Sequence, residues 1–340
     1  MSAPHSFSRP LPGPQRFQQM HFSFAAERVL SASLQLNVFS TIAAGKQSAT
    51  EIAAATGASE RGMRMLLNAL VAFELLGKRD GAYELTADAE RYLVRESPDY
   101  MGAMFESDEM WDTWKNLAEA VRLGASPRSI NRHEVAEAFF PTLIRTLHIS
   151  NREPARRLAA QIVRPGATAG LRVLDIGCGS GVWSLAVAAA DPEARVVALD
   201  LPKVLESTRR FVAAESMSER YEFIPGDFQD FEYPAGKFDL AILGNIVHAE
   251  NETRTRRLFS QIHRALGPAG RLAIIDMIPN EERTGPPFPV LFALNMLLHT
   301  DEGNTYTMSQ YGNWLAGAGF AGVETVDIAS HSPAIVATKS

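Results

Sequence analysis

A single cysteine, Cys178, is the scarcest chemistry in this 340-residue chain. One thiol cannot build an intramolecular disulfide framework, and such poverty suits a reducing, cytoplasmic setting. Cys178 has no Cys or His at ligand spacing and no H-E-x-x-H run occurs, so no metal site is expected. There is no uncharged apolar stretch of about 18 residues, the length a bilayer crossing needs, so no membrane partner is expected. Positive charge is also short: 33 Lys and Arg against 39 Asp and Glu leave a net charge of −6, which gives nucleic acid no basic field to meet. Met1 to Pro14 is rich in Ser, Pro and Gly and lacks an apolar signal core, so residues 1–16 are expected to form a disordered tail.

What the chain has in quantity is apolar side chains, 46% of the total against 21% charged. That suits about two globular domains of ~100–200 residues each. Phe24, Val29, Leu30, Leu34, Val38, Phe39 and Ile42 recur near a 3.6-residue period and predict one helix ending at Gly45. Ser59 is placed to cap a second helix carrying Met63, Leu66, Leu67 and Leu70, and Asp80-Gly81 between two short apolar runs predicts a hairpin. Helix, turn, helix and hairpin over residues 17–98 make a winged-helix arrangement. Its bases (Arg61, Arg64, Lys78, Arg79, Arg91, Arg95) are matched by acids (Glu51, Glu60, Glu74, Asp80, Glu84, Asp88, Glu90), which disfavours DNA and leaves dimerisation. Residues 99–165 read as helical, with Met101, Met104, Phe105, Met110, Trp111, Trp114, Phe139 and Phe140 as core, subunit contact or acceptor-pocket wall, and Pro165-Gly166 as the end.

Within the last region, residues 166–340, the pattern changes beyond Leu171. Short apolar runs at 172–176, 195–199, 221–224, 238–247 and 272–278 alternate with helices expected at 182–190, 203–215 and 252–266, the signature of a doubly wound parallel sheet. Runs at 322–328 and 334–338 follow one another too closely for a crossover and should pair antiparallel at one edge. The expected fold is therefore α/β, a Rossmann-like sheet of seven strands preceded by an all-α winged-helix dimerisation domain.

The first of these strands runs through Asp175 into a glycine turn, Gly177-Cys178-Gly179-Ser180-Gly181. Glycines there let the backbone turn sharply and let a ligand approach. Asp200 closes the second strand, 19 positions past Gly181, where a carboxylate can accept from both hydroxyls of a ribose. A dinucleotide would ask for G-x-G-x-x-G, whereas the tighter G-x-G-x-G suits an adenosine cofactor without a pyrophosphate. Asp227-Phe228 at the end of the third strand then offers an acceptor for an adenine amino group and a ring to cover the base.

With Leu199-Asp200-Leu201-Pro202, Gly226-Asp227-Phe228 and Asn245-Ile246-Val247-His248 in this order, the chain resembles the class I methyltransferases and, more narrowly, the plant-type O-methyltransferases and their bacterial relatives. The resemblance covers about Phe17 to Lys339 and implies S-adenosyl-L-methionine as cofactor and a homodimer built through the N-terminal helices. It assigns Gly177, Gly179 and Gly181 to the methionine moiety, Asp200 to ribose and Asp227 with Phe228 to adenine, with Asp175, Leu201 and Asn245 in the same cofactor set. It makes His248 the catalytic base and Asp276 an acid that orients it. It places Met296 against a small-molecule acceptor, with Phe292 and His299 nearby.

The pattern is not met everywhere. Ala249 and Glu250 stand where Asp and Trp commonly follow the histidine, and Thr305 stands where a second orienting acid is expected. A base without its orienter is weaker. Transfer to carbon, nitrogen or sulfur, a non-methylating enzyme on the same scaffold, and a winged-helix regulator therefore stay open at this point, beside O-methylation of a hydrophobic aromatic or polyketide-like molecule. His148 is a further candidate for the cofactor cleft.

Overall fold

The computed structural model describes residues 12–126, 133–163 and 170–340. Most of the expected tail therefore lies outside the described residues, as do Pro165, Gly166 and the side chains of Phe139 and Phe140. The chain forms two compact units, Met1–Met110 and Trp111–Ser340.

In the first unit, helices α1 (Pro14–Phe22), α2 (Phe24–Gln35), α3 (Val38–Ala43), α4 (Ala49–Thr56), α5 (Glu60–Ala72) and α6 (Ala87–Leu93) surround a hairpin of β1 (Leu76–Arg79) and β2 (Ala82–Leu85). Pro14 begins α1 at the position where a missing N–H costs nothing, so the last residues of the expected tail are helical. The single helix expected up to Gly45 is divided: Asn37 takes a φ of +55° between α2 and α3, a conformation Asn tolerates better than most residues. Ser48 and Glu51 cap α4 reciprocally, and the Ser59 hydroxyl accepts from the Gly62 N–H at the start of α5. The hairpin turns on Asp80 and Gly81, both at positive φ, as a two-residue turn between twisted strands requires. Leu34, Phe39, Ile52, Met63, Leu67, Leu70 and Tyr83 fill the core.

In the second unit, α7 (Glu109–Trp114, which spans the division), α8 (Leu117–Leu123) and α9 (His133–Ile162) precede β3 (Arg172–Ile176), α10 (Val182–Ala190), β4 (Arg195–Asp200), α11 (Pro202–Ala214), β5 (Tyr221–Pro225) and β6 (Phe238–Gly244). Then come α12 (Glu252–Ala265), β7 (Leu266–Ile275), α13 (Pro287–His299), α14 (Met308–Ala318), β8 (Phe320–Val326) and β9 (Ala334–Lys339). The strands form one seven-stranded sheet in the order β5-β4-β3-β6-β7-β9-β8, parallel as far as β7 and antiparallel at β9 and β8.

Alternation along the strands sends neighbouring side chains to opposite faces. Leu174, Ile176, Ala241 and Leu243 pack with Phe259 of α12 and Trp314 of α14. Val173, Leu240 and Ile242 pack with Val182 and Val187 of α10 and Leu158 and Ile162 of α9. Chain order runs from β3 outward to β5, then returns to β6 on the other side of β3. The carboxyl ends of β3 and β6 therefore flank the crevice where open α/β sheets bind ligands.

Three strands differ most from expectation in where they begin or end. The strand expected over 238–247 stops at Gly244, because Asn245 adopts a φ of +61° and Val247–Ala249 coil into a short 3-10 turn. The strand expected from Leu272 starts at Leu266, through an irregular register that a positive φ at Ala269 allows, and ends at Ile275. Finally, β8 begins two residues early, at Phe320.

Candidate active site

Gly177, Gly179 and Gly181 sit at φ of +60°, +55° and +72°, a region that penalises any side chain. They differ in what surrounds them. A Cβ on Gly177 would lie 2.3 Å from Ile246 Cδ1, whereas nothing lies within 4 Å of a Cβ on Gly179. The middle of the turn is thus an open backbone cradle at the mouth of the crevice.

The cradle is held by Asp200. Its Oδ2 accepts the Gly179 N–H at 2.8 Å and its Oδ1 the Leu201 N–H at 2.7 Å, while its carbonyl accepts the Gly226 N–H at 3.0 Å. Each carboxylate oxygen keeps acceptor capacity for a further donor. Burial pushes the Asp200 carboxyl up to about 6, against the opposing pull of its two N–H donors. Asp175 lies beneath the turn and accepts the Ser184 hydroxyl at 2.5 Å. Burial carries it up to about 7; the Ser184 hydrogen bond opposes the rise and the Asp200 charge adds to it. Thr208 of α11 donates to the Gly179 carbonyl at 2.6 Å. His148, a further candidate for the cleft, stacks on Phe211 of that helix, one turn past Thr208, with centroids 3.9 Å apart.

Beyond β5, Asp227 accepts the Gln229 N–H at 2.8 Å, and half-buried Phe228 packs on the core while its carbonyl accepts the Tyr233 hydroxyl. Gln229 Nε2 donates to Glu250 Oε2 at 3.1 Å, joining this turn to the segment after β6. That segment begins at Asn245, whose N–H donates to the Ile275 carbonyl at 2.8 Å.

His248 and Asp276 meet at the ends of β6 and β7. His248 Nδ1 lies 2.6 Å from Asp276 Oδ1, and the His248 backbone N–H donates to Oδ2 at 2.9 Å. Asp276 is 3% exposed, and its carboxylate selects the tautomer with a proton on Nδ1, which leaves the Nε2 lone pair free to act as a base. The Phe292 ring stands edge-on to the imidazole with centroids 5.0 Å apart. Phe292 shares α13 with Met296 and His299, both buried, and His299 Nδ1 is 2.8 Å from the Asn295 carbonyl of the same helix. Thr305 is buried and bonded through its backbone, its carbonyl accepting from Arg283. Among the described residues, the hydrogen bonds of His248 run to Asp276 and Asn304, not to Thr305.

Sequence reasoning missed two contacts here. One is the Gln229–Glu250 bridge. The other is the Tyr311 hydroxyl, which donates to Asp276 Oδ2 at 3.1 Å from a helix that reads as plain apolar packing. No cluster of three or more His, Cys, Asp or Glu side chains placed to hold a metal occurs among the described residues, and none of their helices is long and apolar enough to cross a membrane.

Comparison with known proteins gives two family matches: an O-methyltransferase domain over residues 158–321 and an O-methyltransferase dimerisation domain over residues 18–95. The chain is 31% identical over 309 residues to the 3-hydroxy-5-methyl-1-naphthoate 3-O-methyltransferase of Streptomyces sahachiroi, covering 89% of this chain and 88% of that one. It is 28% identical to the tetracenomycin polyketide synthesis 8-O-methyl transferase of Streptomyces glaucescens, over 96% of both. The crystal structure of human N-acetylserotonin methyltransferase in complex with SAM superposes with a TM-score of 0.81 at 25% identity, covering 96% of this chain and 97% of that one.

The cradle geometry makes two alanine substitutions unequal. Both Gly177→Ala and Gly179→Ala incur the positive-φ penalty of about 1–2 kcal/mol, but only Gly177→Ala must also displace Ile246, for about 1–3 kcal/mol more. Denaturant midpoints should place Gly177→Ala clearly below Gly179→Ala. Equal midpoints would show that Ile246 does not confine the turn.

Proposed function

The chain belongs to the S-adenosylmethionine-dependent O-methyltransferases, and from that premise we propose that it methylates a hydroxyl on a flat, apolar, aromatic or polyketide-like molecule, with His248 as general base and Asp276 as its orienting acid. The observation that carries the base assignment is the 2.6 Å contact between His248 Nδ1 and the buried Asp276 carboxylate. When bound, S-adenosylmethionine supplies a methyl group on a sulfonium, so the leaving sulfur departs neutral and needs no acid.

The protein's work is then placement and removal of one proton. An acceptor phenol has a pKa of about 10 and an imidazole about 6.5, so His248 Nε2 takes the proton as the new oxygen–carbon bond develops rather than beforehand. Asp276 stabilises the imidazolium that results. Gly177, Gly179 and Gly181 offer backbone to the methionine moiety, Asp200 its spare acceptor sites to the ribose hydroxyls with Leu201 beside it, and Asp227 and Phe228 an acceptor and a ring face to adenine. Asn245 borders the same crevice, and Asp175 braces the turn from beneath through Ser184. Phe292, Met296 and His299 on α13 supply an apolar wall for the acceptor, in keeping with the aromatic and polyketide chemistry in the relatives' names. A cytoplasmic setting fits the lone, buried Cys178, and the balanced charge of the first unit fits a protein partner better than nucleic acid.

The partner in this proposal is a second copy. On α1, Phe17 and Met20 are 71% and 73% exposed and no residue of the helix is buried, within a region that matches the dimerisation domain.

Three measurements test this reading. His248→Ala should cut turnover by about 10²–10⁴ while cofactor affinity stays within about twofold; full turnover in that variant would remove the base assignment. Cofactor affinity should be flat above neutrality and weaken below pH 6, by up to about tenfold per pH unit, because hydroxyl donors favour the ionised form of a carboxyl whose pKa is raised to about 6. Calorimetry on Asp200→Asn should show weaker binding and the loss of that slope, and an unchanged slope would point elsewhere. Charged substitutions at Phe17 and Met20 should shift sedimentation from dimer to monomer; an unaltered dimer would place the interface on another surface.

A further inference from the structure

We propose that Tyr311 is a positioning residue for the methyl transfer: its phenol pins the Asp276 carboxylate in the orientation that receives the Nδ1–H of His248. This rests on His248 being the base. The hydroxyl of Tyr311 reaches Asp276 Oδ2 at 3.1 Å from α14. Together with the His248 N–H at 2.9 Å on Oδ2, and His248 Nδ1 at 2.6 Å and the Met277 N–H at 2.8 Å on Oδ1, it brings the carboxylate to four donors, two on each oxygen. A carboxylate so engaged has little freedom to rotate, and its charge is shared among the four. Three of these donors belong to the chain on either side of the dyad. Tyr311 alone reaches in from a separate helix, and it is the fixed point that the other three lack.

The ring cannot swing aside. Tyr311 is completely buried and held edge-on between Trp314, at 5.9 Å between centroids, and Tyr306, at 6.3 Å. Burial, with Asp276 beside it, holds its phenol well above the usual range, so it is a donor at every working pH. Other titratable groups around the dyad are Tyr306, whose surroundings include Arg283 and Glu252, and Glu250, two residues past His248. None of these is bonded to Asp276 among the described residues. Thr305, where an orienting acid was expected, bonds through its backbone to Arg283 and Asn304 among the described residues.

Removing the phenol hydroxyl has two consequences of known sign. The carboxylate gains rotational freedom, so fewer enzyme molecules present the imidazole correctly. Its Oδ atoms, relieved of one donor, also pull harder on Nδ1–H and favour the imidazolium. Tyr311→Phe keeps the packed ring and deletes only that donor. It should lower kcat by about 5–20-fold, leave the acceptor KM and the cofactor Kd within about twofold, and move the acid limb of the kcat–pH profile upward by about half a unit. In an Asp276→Asn background the same substitution should have little further effect on kcat, because the carboxylate through which it acts is gone. A ring-fluorinated tyrosine at position 311 keeps the shape, strengthens the donor and should shift the limb the opposite way, which covers the case in which Tyr311→Phe folds poorly. His248→Ala run alongside separates the two claims. An active His248→Ala enzyme sinks the base assignment itself. An inactive one, beside a Tyr311→Phe enzyme with parental kcat and pH profile, overturns the role given to Tyr311 alone.

Discussion

Three strand ends of the parallel sheet are joined by one residue. The Asp200 side chain takes N–H groups from Gly179, after β3, and from Leu201, after β4, and its carbonyl takes the Gly226 N–H, after β5. Backbone at the carboxyl edge of a parallel sheet has exhausted its ladder partners, so its N–H groups need acceptors from elsewhere. Here a single aspartate meets that need for three successive loops, and the crevice owes its shape to this. The turn after β3 holds three positive-φ glycines with N–H groups tied to β4, Gly177 to the Leu199 carbonyl and Gly179 to the Asp200 carboxylate, while Gly181 bonds back to the Cys178 carbonyl.

The cost of such a device is a carboxylate buried at the sheet edge. Asp200 and the deeper Asp175 show how donors offset that cost. Asp200 has two backbone N–H donors and the Cys178 thiol and rises to about 6; Asp175 has the Ser184 hydroxyl and backbone N–H together with a charged neighbour, and rises to about 7. Desolvation is the leading cause for both, and each donor lost to an oxygen leaves more of it uncompensated. A carboxylate raised this near neutrality would gain from further hydroxyl donors, which is the complement that the proposed ribose diol would provide.

How much of this the sequence shows depends on how local each feature is. The helix Val182–Ala190, the Asp80-Gly81 hairpin and the antiparallel edge pair are legible because they follow from neighbours a few positions apart. The breaks at Asn37 and Asn245 are harder to read. An Asn inside an apolar run looks like a tolerated polar residue, and only the tertiary path obliges it to take a positive φ. His248 and Asp276 are legible as a pair through the family pattern the chain resembles; Asp276 follows directly on β7, while His248 comes four residues after the end of β6. Tyr311 is not: it lies 35 residues from Asp276, within an apolar stretch whose rings announce core packing. A ring that packs and a hydroxyl that donates are the same residue, and periodicity reports only the first.

The segment between β6 and α12 gathers these features. Ile246 lies so close over Gly177 that an added Cβ would have to push its side chain aside, Glu250 takes the Gln229 amide beside Asp227 and Phe228, and His248 stands between them. Tyr306 adds a donor to the Glu250 carbonyl and Asn304 one to the His248 carbonyl. His248 is therefore located from both sides by the turns that border the crevice, through contacts in which residue 249 takes no part. Moving it would require breaking a core contact at one flank and a buried amide–carboxylate bond at the other. Ala249 and Glu250, which depart from the pattern the chain resembles, therefore leave His248 and its contact with Asp276 in place. In the proposed reaction, whose leaving group departs neutral, the placement of His248 by this segment would count for more than its strength as a base.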